Sequence, residues 1–390
     1  MHRLNKRYVT ASMLSAAILI ALSGCTAKNS PSGNGAQAQV QSTPASRLHS
    51  ASLNAPVRVG AFEIFDSKVL SVLDLDAKIN VLAKGFEWVE GPVWSVEDEA
   101  LLFSDIPTHK VYRYKAGEGV SELLAHSGFS NGLVFNNQQQ LILLQSRTRQ
   151  IGLLNTPMRT LLADRKTRAQ PISATPEGRT EKETKTGDAT FDTSNYLVLA
   201  SRYQGKRLNS PNDGVFSRKG RTKGTLYFTD PPYGLAKQLE DPAKELAFQG
   251  VYALSPMGKL TLLDDSLVYP NGIALSPDEK TLYVSASNAA TPSWYSYAVG
   301  DDGRVHSRKL FHQAPVQSHN QHGLPDGLKV HHSGIVFATG PGGVWLFDPQ
   351  GVLLAKVHMP SISANLAFNA DQTKVFVTAH HQLLSFSLKP

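Results

Sequence analysis

The sequence predicts an all-β protein that folds as a six-bladed β-propeller, with its ring closed by strands from both ends of the chain. Two observations favour this fold. One pattern recurs six times: an oxygen-bearing polar residue, usually followed by Gly, begins an apolar stretch, and a turn leads to a second apolar stretch that ends in small polar residues. Most copies are then followed by two further short stretches rich in β-branched and aromatic residues, which is typical of a four-stranded blade.

The six copies follow one another from residue 90 to the end of the chain. They read Glu90-GPVW…ALLFSD, Asn131-GLVF…LILLQS, Asn212-DGVF…TLYFTD, Asn271-GIAL…TLYVSA, Asp326-GLKV…GIVFAT and Asn365-LAF…KVFVTA. A β-sandwich or a solenoid would not explain a polar residue at the start of every copy. In a propeller this position faces the central channel, so the six side chains are predicted to converge on the axis.

Two stretches complete the blade pattern. The last copy has no fourth strand before the chain ends, and we expect residues 78–85, which precede the first copy, to supply it because a closed ring leaves no open sheet edge. In the second copy we expect the fourth strand at residues 160–164. Residues 165–195 are rich in Thr, Lys, Glu, Arg and Pro and are predicted to be an inserted surface loop, with a lid or a docking arm as the alternative.

The first 25 residues predict a lipoprotein signal peptide. Arg3, Lys6 and Arg7 precede an apolar stretch, residues 11–22, that is short for a bilayer span. Cys25, the only cysteine, ends a Leu-Ser-Gly-Cys run that resembles the lipobox of bacterial lipoproteins. We therefore expect Cys25 to be lipidated, with an ordinary signal peptide and a chance Cys as the alternative.

The predicted domain order follows from this start. Residues 26–50 form a flexible tether and residues 51–390 the propeller. We expect the chain to be exported, to face the periplasm, and to contact the membrane through the lipid alone. The boundaries and the location both depend on the signal-peptide interpretation.

Charge and composition exclude other classes of partner. The formal net charge is +7, but five basic and no acidic residues lie within residues 1–50, so the propeller is close to neutral. No stripe of Lys and Arg interleaved with aromatic residues follows, which disfavours a nucleic-acid partner. We expect a monomer that acts on a small molecule.

The converging residues indicate a cation site. All six carry a side-chain oxygen and none is His or Cys, and hard oxygen ligands select Ca²⁺, Mg²⁺ or Mn²⁺. Two carboxylates and two amides would neutralise a divalent cation and leave positions open for substrate. Taken singly, Asn-Gly and Asp-Gly are ordinary turns, but turns do not explain one shared register or the Glu in the first copy.

The motifs also identify a family. They read Glu90-GPVW…LLFSDIP, Lys206-RLNSPNDG, Leu226-YFTDPPYGL, Tyr269-PNGIALSPDEKTLYVS, Leu324-PDGLKV and Phe337-ATGPGGVWLFDPQG. Through them residues 75–390, apart from the insertion, resemble the gluconolactonase, regucalcin (senescence marker protein) and luciferin-regenerating enzyme family, above all its bacterial gluconolactonase branch. The resemblance implies a six-bladed propeller that hydrolyses a small lactone, such as the sugar lactone gluconolactone, with one divalent cation. Ca²⁺ is favoured, with Mn²⁺, Mg²⁺ or Zn²⁺ as alternatives.

The resemblance implies four metal ligands, and the chemistry of the proposed site adds roles for further residues. The expected metal ligands are Glu90, Asn212, Asn271 and Asp326. Asp326 is further expected to be the general base for an attacking water. Asn212 is expected to take part in catalysis by hydrogen bonding to the substrate. Substrate contacts are expected from Asp213, Tyr233, Arg207 and His322.

Two departures from the family pattern bear on sugar recognition. Many relatives carry an acidic residue followed by His in the second blade, where this chain reads Leu143-LQSRTRQ, and regucalcin has Arg where Ser210 stands. Two alternatives therefore stay open. One is a different metal-dependent esterase, lactonase or phosphotriesterase on the same site, and the other is a non-catalytic propeller binding module at the membrane surface.

Overall fold

The computed structural model describes residues 55–165, 195–316 and 323–390. Cys25, the predicted tether, His322 and nearly all of the predicted insertion lie outside the described residues. Within the described ranges, no helix is long and apolar enough to cross a membrane.

Six antiparallel sheets follow one another along the chain and form six blades, which confirms the predicted fold. From the axis outward, the strands of blade 1 are Val89–Ser95, Ala100–Asp105, Lys110–Lys115 and Gly119–Leu124. Those of blade 2 are Ser130–Phe135, Leu141–Gln145, Gln150–Leu154 and Tyr196–Ala200. Those of blade 3 are Gly214–Phe216, Leu226–Asp230, Gly250–Leu254 and Leu260–Asp264.

The other three blades have the same order. The strands of blade 4 are Pro270–Leu275, Thr281–Ala286, Ser293–Val299 and Val305–Gln313. Those of blade 5 are Leu328–Val330, Val336–Gly340, Gly343–Phe347 and Leu353–His358. Those of blade 6 are Asn365–Phe368, Lys374–Ala379, Gln382–Ser387 and Asn80–Lys84.

Elements outside this scheme are short. A two-stranded hairpin, Arg202–Tyr203 with Lys206–Arg207, lies between blades 2 and 3. In the described part of the chain, helical segments include the α-helix Met158–Arg165 and the 3₁₀ turns Ser67–Ser71 and Gln238–Glu240.

The ring closes as the sequence predicts. Asn80–Lys84 pairs antiparallel with Gln382–Ser387, with Lys84 opposite Gln382. Two strands that the repeat pattern does not contain, Phe62–Ile64 and Val57–Val59, extend the outer edge of blade 5. They are too short to show periodicity, so only the register with Leu353–His358 reveals them.

The predicted fourth strand of blade 2 is wrong. Residues 160–164 belong to the helix Met158–Arg165, whose first turn includes a hydrogen bond from Thr160 N to Pro157 O of 3.0 Å. Leu and Ala favour a helix after a Pro, whereas the β-branched and aromatic residues of Tyr196–Ala200 favour the strand. Tyr196–Ala200 therefore pairs with Gln150–Leu154 instead.

Small residues let the inner strands approach one another at the axis. A Cβ added to Gly91 would lie 2.0 Å from Asn131 O of the next blade, and one added to Gly272 would lie 2.3 Å from Asp326 O. Hydroxyl groups from the second strands bridge the same seams: Thr229 Oγ1 donates to Asn271 O at 2.6 Å. The repeated Gly and the small polar residues of the sequence pattern thus bring the six ring residues together.

Gly272→Ala is expected to destabilise the propeller by about 3 kcal/mol, because the new methyl group overlaps the backbone oxygen of Asp326, which no side-chain movement can clear. Thermal denaturation measures the effect. The control is Gly300→Ala, where the nearest atom to the new Cβ belongs to the flexible side chain of Asp302, 3.0 Å away. Equal melting temperatures for the two variants would contradict this account of the seam.

Candidate active site

A cavity of about 460 Å³ lies where the inner strands begin. Its lining residues are Trp88, Glu90, Ile106, Asn131, Asn212, Tyr233, Asn271, Ser287, Gly323, Leu324, Asp326 and Ile362. All four residues predicted to bind the metal are among them, and they come from blades 1, 3, 4 and 5. Residues from four blades can meet in this way only at the centre of the ring.

Buried aspartates at the ends of second strands hold the loops that lead to the ligands. Asp230 accepts hydrogen bonds from Asn209 N and Ser210 N, both at 2.7 Å, just before Asn212. Asp105 accepts one from Trp88 N at 2.9 Å, just before Glu90. The FTD and FSD motifs of the repeat therefore fix the backbone that carries two of the predicted ligands.

Ser287 connects the other two predicted ligands. Asn271 Nδ2 donates to Ser287 Oγ at 3.0 Å, and Ser287 Oγ donates to Pro325 O at 2.6 Å. Because Pro325 precedes Asp326, the hydroxyl ties the side chain of Asn271 to the backbone of Asp326. This positioning residue was not identified from the sequence, although it lies in the TLYVSAS stretch of the fourth copy.

Two oxygens in the cavity have no hydrogen-bond partner among the described residues. They are Asp326 Oδ1 and Asn131 Oδ1, and both are buried. Burying an oxygen without a partner costs free energy, and a cation that prefers oxygen ligands would provide a partner for both atoms. The donor set therefore fits a hard divalent cation, and it includes Asn131, which the sequence placed in the ring but not among the ligands.

The electrostatics of the cavity point the same way. Burial raises the pKa of Glu90 to about 7, and the charge of Asp213 adds to this effect. The hydrogen bond that Gly91 N donates to its carboxylate lowers the pKa and only partly offsets the rise. Burial and the neighbouring charges of Glu90 and Asp213 raise the pKa of Asp326 well above its ordinary value. The carboxyl groups are thus held close together without enough positive charge to neutralise them, as expected of a site that takes up a cation.

Amide oxygens distinguish this arrangement from a cluster of acidic or His ligands. In the described part of the chain, no group of three or more His, Cys, Asp or Glu side chains is placed to hold a metal ion. Two carboxylates, Glu90 and Asp326, are among the lining residues of the cavity, together with the amide groups of three Asn side chains and the hydroxyl groups of Tyr233 and Ser287. That these residues bind a metal stays a prediction.

The residues predicted to contact substrate are placed differently from one another. Tyr233 lines the cavity and stacks on Tyr269, with ring centroids 5.4 Å apart. Arg207 does not line it, and its guanidinium donates to Thr148 O at 3.2 Å. Asp213 does not line it either, and its carboxylate lies 3.4 Å from the ammonium of Lys329. With His322 outside the described residues, the four substrate roles stay predictions.

Asp230→Asn is expected to lower both stability and lactone turnover. An amide keeps one acceptor oxygen, so one of the two N–H donors of Asn209 and Ser210 loses its partner, at a cost of about 1–3 kcal/mol. Because the loop leads to Asn212, kcat should fall more than KM rises. Denaturant unfolding and steady-state kinetics test this, with Asp301→Asn at an exposed turn as the control. An unchanged kcat would contradict the positioning role.

Comparisons with known proteins agree with the fold. The family model of the SMP-30/Gluconolactonase/LRE-like region matches residues 88–381. A gluconolactonase from Zymomonas mobilis is 32% identical over 393 residues, which cover 96% of each chain. A solved gluconolactonase from Xanthomonas campestris is 30% identical with a TM-score of 0.67, covering 86% of this chain and 97% of its own. The calcium-binding regucalcin of Agrobacterium tumefaciens, 16% identical with a TM-score of 0.56 over 79% of this chain and 94% of its own, shares the fold.

Proposed function

The chain belongs to the SMP-30/gluconolactonase/LRE-like family, and from this membership we propose that it hydrolyses a small sugar lactone with the help of one divalent cation. Lactone hydrolysis is indicated by the gluconolactonases among its relatives. The metal dependence is proposed because one axial cavity is lined by all four predicted ligands, Glu90, Asn212, Asn271 and Asp326. Ca²⁺ is the proposed ion because all the donors are hard oxygens, with Mn²⁺, Mg²⁺ or Zn²⁺ as alternatives.

The reaction adds one water to the lactone, opens the ring and yields a hydroxy acid. A bound divalent cation would polarise the lactone carbonyl and stabilise the negative charge that develops on its oxygen. Asp326 accepts the proton of the attacking water through its carboxylate. Asn212 and Asn131 present amide groups to the same space, where they orient the substrate.

The cavity wall supplies the remaining requirement, which is the exclusion of bulk water. Trp88, Ile106, Leu324 and Ile362 form apolar surface around the polar centre. They contact the carbon face of a small ring, and Tyr233 adds a phenol at the rim. Polar groups at the centre and apolar groups around them are typical of small-molecule sites.

The direct test is hydrolysis of glucono-1,5-lactone by the full-length chain, followed through the release of acid. We expect turnover above the spontaneous rate with Ca²⁺, and loss of turnover in EDTA that is restored by excess cation. Turnover that persists in EDTA would contradict the metal dependence. Turnover of a homoserine lactone or a phosphotriester alone would favour the other hydrolases, and cation binding without turnover of any of these would favour the binding module.

The location of the enzyme is a separate proposal. The Leu-Ser-Gly-Cys run supports cleavage before Cys25 and lipidation of its thiol, which would hold the propeller at a membrane surface facing the periplasm. Mass spectrometry of the chain isolated from a bacterial membrane fraction tests this, with Cys25→Ser as the comparison. A mature chain that begins elsewhere, or carries no lipid, would contradict it.

A further inference from the structure

A lysine ammonium is held in the centre of the ring beside the candidate metal site. Lys329 Nζ lies 3.0 Å from Leu328 O, 3.2 Å from Asn365 Oδ1 and 3.4 Å from Asp213 Oδ2. Asn365 Nδ2 also donates to Asp213 Oδ2 at 3.2 Å. These residues come from blades 3, 5 and 6, so they can meet only on the axis.

This position is separate from the cavity but close to it. None of Asp213, Lys329 and Asn365 lines the cavity. The charges of Asp213 and Lys329 nevertheless act on Glu90, which does line it. Asp213 and Asn365 are almost fully buried, at 2% exposure each, so the oxygens around the ammonium are part of the interior.

The three oxygens are of the kinds that bind a hard metal ion. They are a carboxylate, an amide oxygen and a main-chain carbonyl, which together resemble a calcium ligand set. Here they surround an ammonium, which is a cation tethered to the chain. The charge of Lys329 neutralises Asp213, which would otherwise be a third buried carboxylate close to Glu90 and Asp326.

We propose that the Lys329 ammonium occupies a second cation position on the axis, so that the chain binds one divalent cation fewer than its ring of oxygens could hold. Removing the ammonium opens this position to a divalent cation, bound by Asp213, Asn365 and Leu328 O. The inference rests on the proposed function only in taking the cavity as the first cation site. Lys329 is thus a positioning residue that sets the number of metal ions.

The experiment counts bound Ca²⁺ in full-length variants, with calcium chloride as the only added ligand. Lys329→Ala shortens the side chain and leaves room for an ion, so we expect it to bind one Ca²⁺ more than the wild type, by elemental analysis and calorimetry. Its melting temperature should be lower than that of the wild type without Ca²⁺, because Asp213 is then unpaired, and should recover when the added site fills. Lys356→Ala removes a lysine of the same blade that lies over Trp345, and it should keep the wild-type count.

The double variant Asp213→Asn/Lys329→Ala provides a second test in case Lys329→Ala alone does not fold. Without the carboxylate the extra position loses its charge, so the double variant should fold and bind the wild-type number of ions. An additional Ca²⁺ in the double variant, or an unchanged count in a folded Lys329→Ala variant, would overturn the proposal. A wild type that binds no Ca²⁺ would contradict the proposed function, whereas a gain of one ion in Lys329→Ala would still support the second position.

Discussion

Replacing Asp326 by Asn is expected to lower kcat for lactone hydrolysis by about 10²–10⁴-fold, with Asp326→Ala at least as severe. The carboxylate has two functions in the proposed site, as a cation ligand and as the acceptor of the proton from water. Its Oδ1 is buried and meets no described donor, so the fold does not depend on that atom. In the cation-free chain burial raises the pKa of Asp326, and a bound divalent cation would lower it again, because a neighbouring positive charge favours the carboxylate.

The measurement separates the two functions by titrating the variant with cation. If Asp326 were a ligand only, saturating cation would restore kcat, whereas loss of the base cannot be restored in this way. The control is Asp302→Asn, an exposed residue of blade 4 far from the axis, for which wild-type kinetics are expected. Wild-type kcat in a folded, cation-saturated Asp326→Asn variant would remove Asp326 from the chemistry.

The fold could be predicted from the sequence because the repeat pattern marks the start and the strands of each blade. The Gly after most ring residues and the hydroxyl near the end of most second strands are needed where inner strands approach one another, as at Gly272 and Thr229. These requirements recur at one register, so the six blades and the closing strand Asn80–Lys84 could be predicted. Local composition gave the wrong prediction for residues 160–164, which are helical. The strand position beside Gln150–Leu154 is filled instead by Tyr196–Ala200, which follows the insertion.

The site was predictable to the extent that it repeats. Glu90 and Asp326 lie in the cavity because they occupy the repeated position. Ser287 and Lys329 also lie near the axis but have no counterpart in most copies, so no pattern marks them. Arg207 is near the motif in sequence, yet its side chain points to Thr148, because a hairpin reverses the chain at that point.

Glu90→Gln is expected to weaken cation binding by about 10²-fold or more, because one of the two ligand charges is lost at contact distance. The amide keeps the size of the side chain and one oxygen, so the fold and the cavity should persist. Calorimetric titration with Ca²⁺ measures the change. Glu97→Gln is the control, since Glu97 lies on an exposed turn at the other end of the same inner strand. Lactone turnover should return at high cation concentration, because Glu90 has no part in the proton transfer.

The pH dependence of cation binding gives a second and sharper signature of Glu90. Burial raises its pKa to about 7 in the cation-free chain, so below that pH a cation must displace a proton to bind. Affinity should therefore fall as the pH drops below 7, by about tenfold per pH unit for each proton displaced. Glu90→Gln has no proton to lose at this position, so its affinity should depend on pH less steeply, by one proton. If both chains showed the same slope, the cation would displace no proton from Glu90.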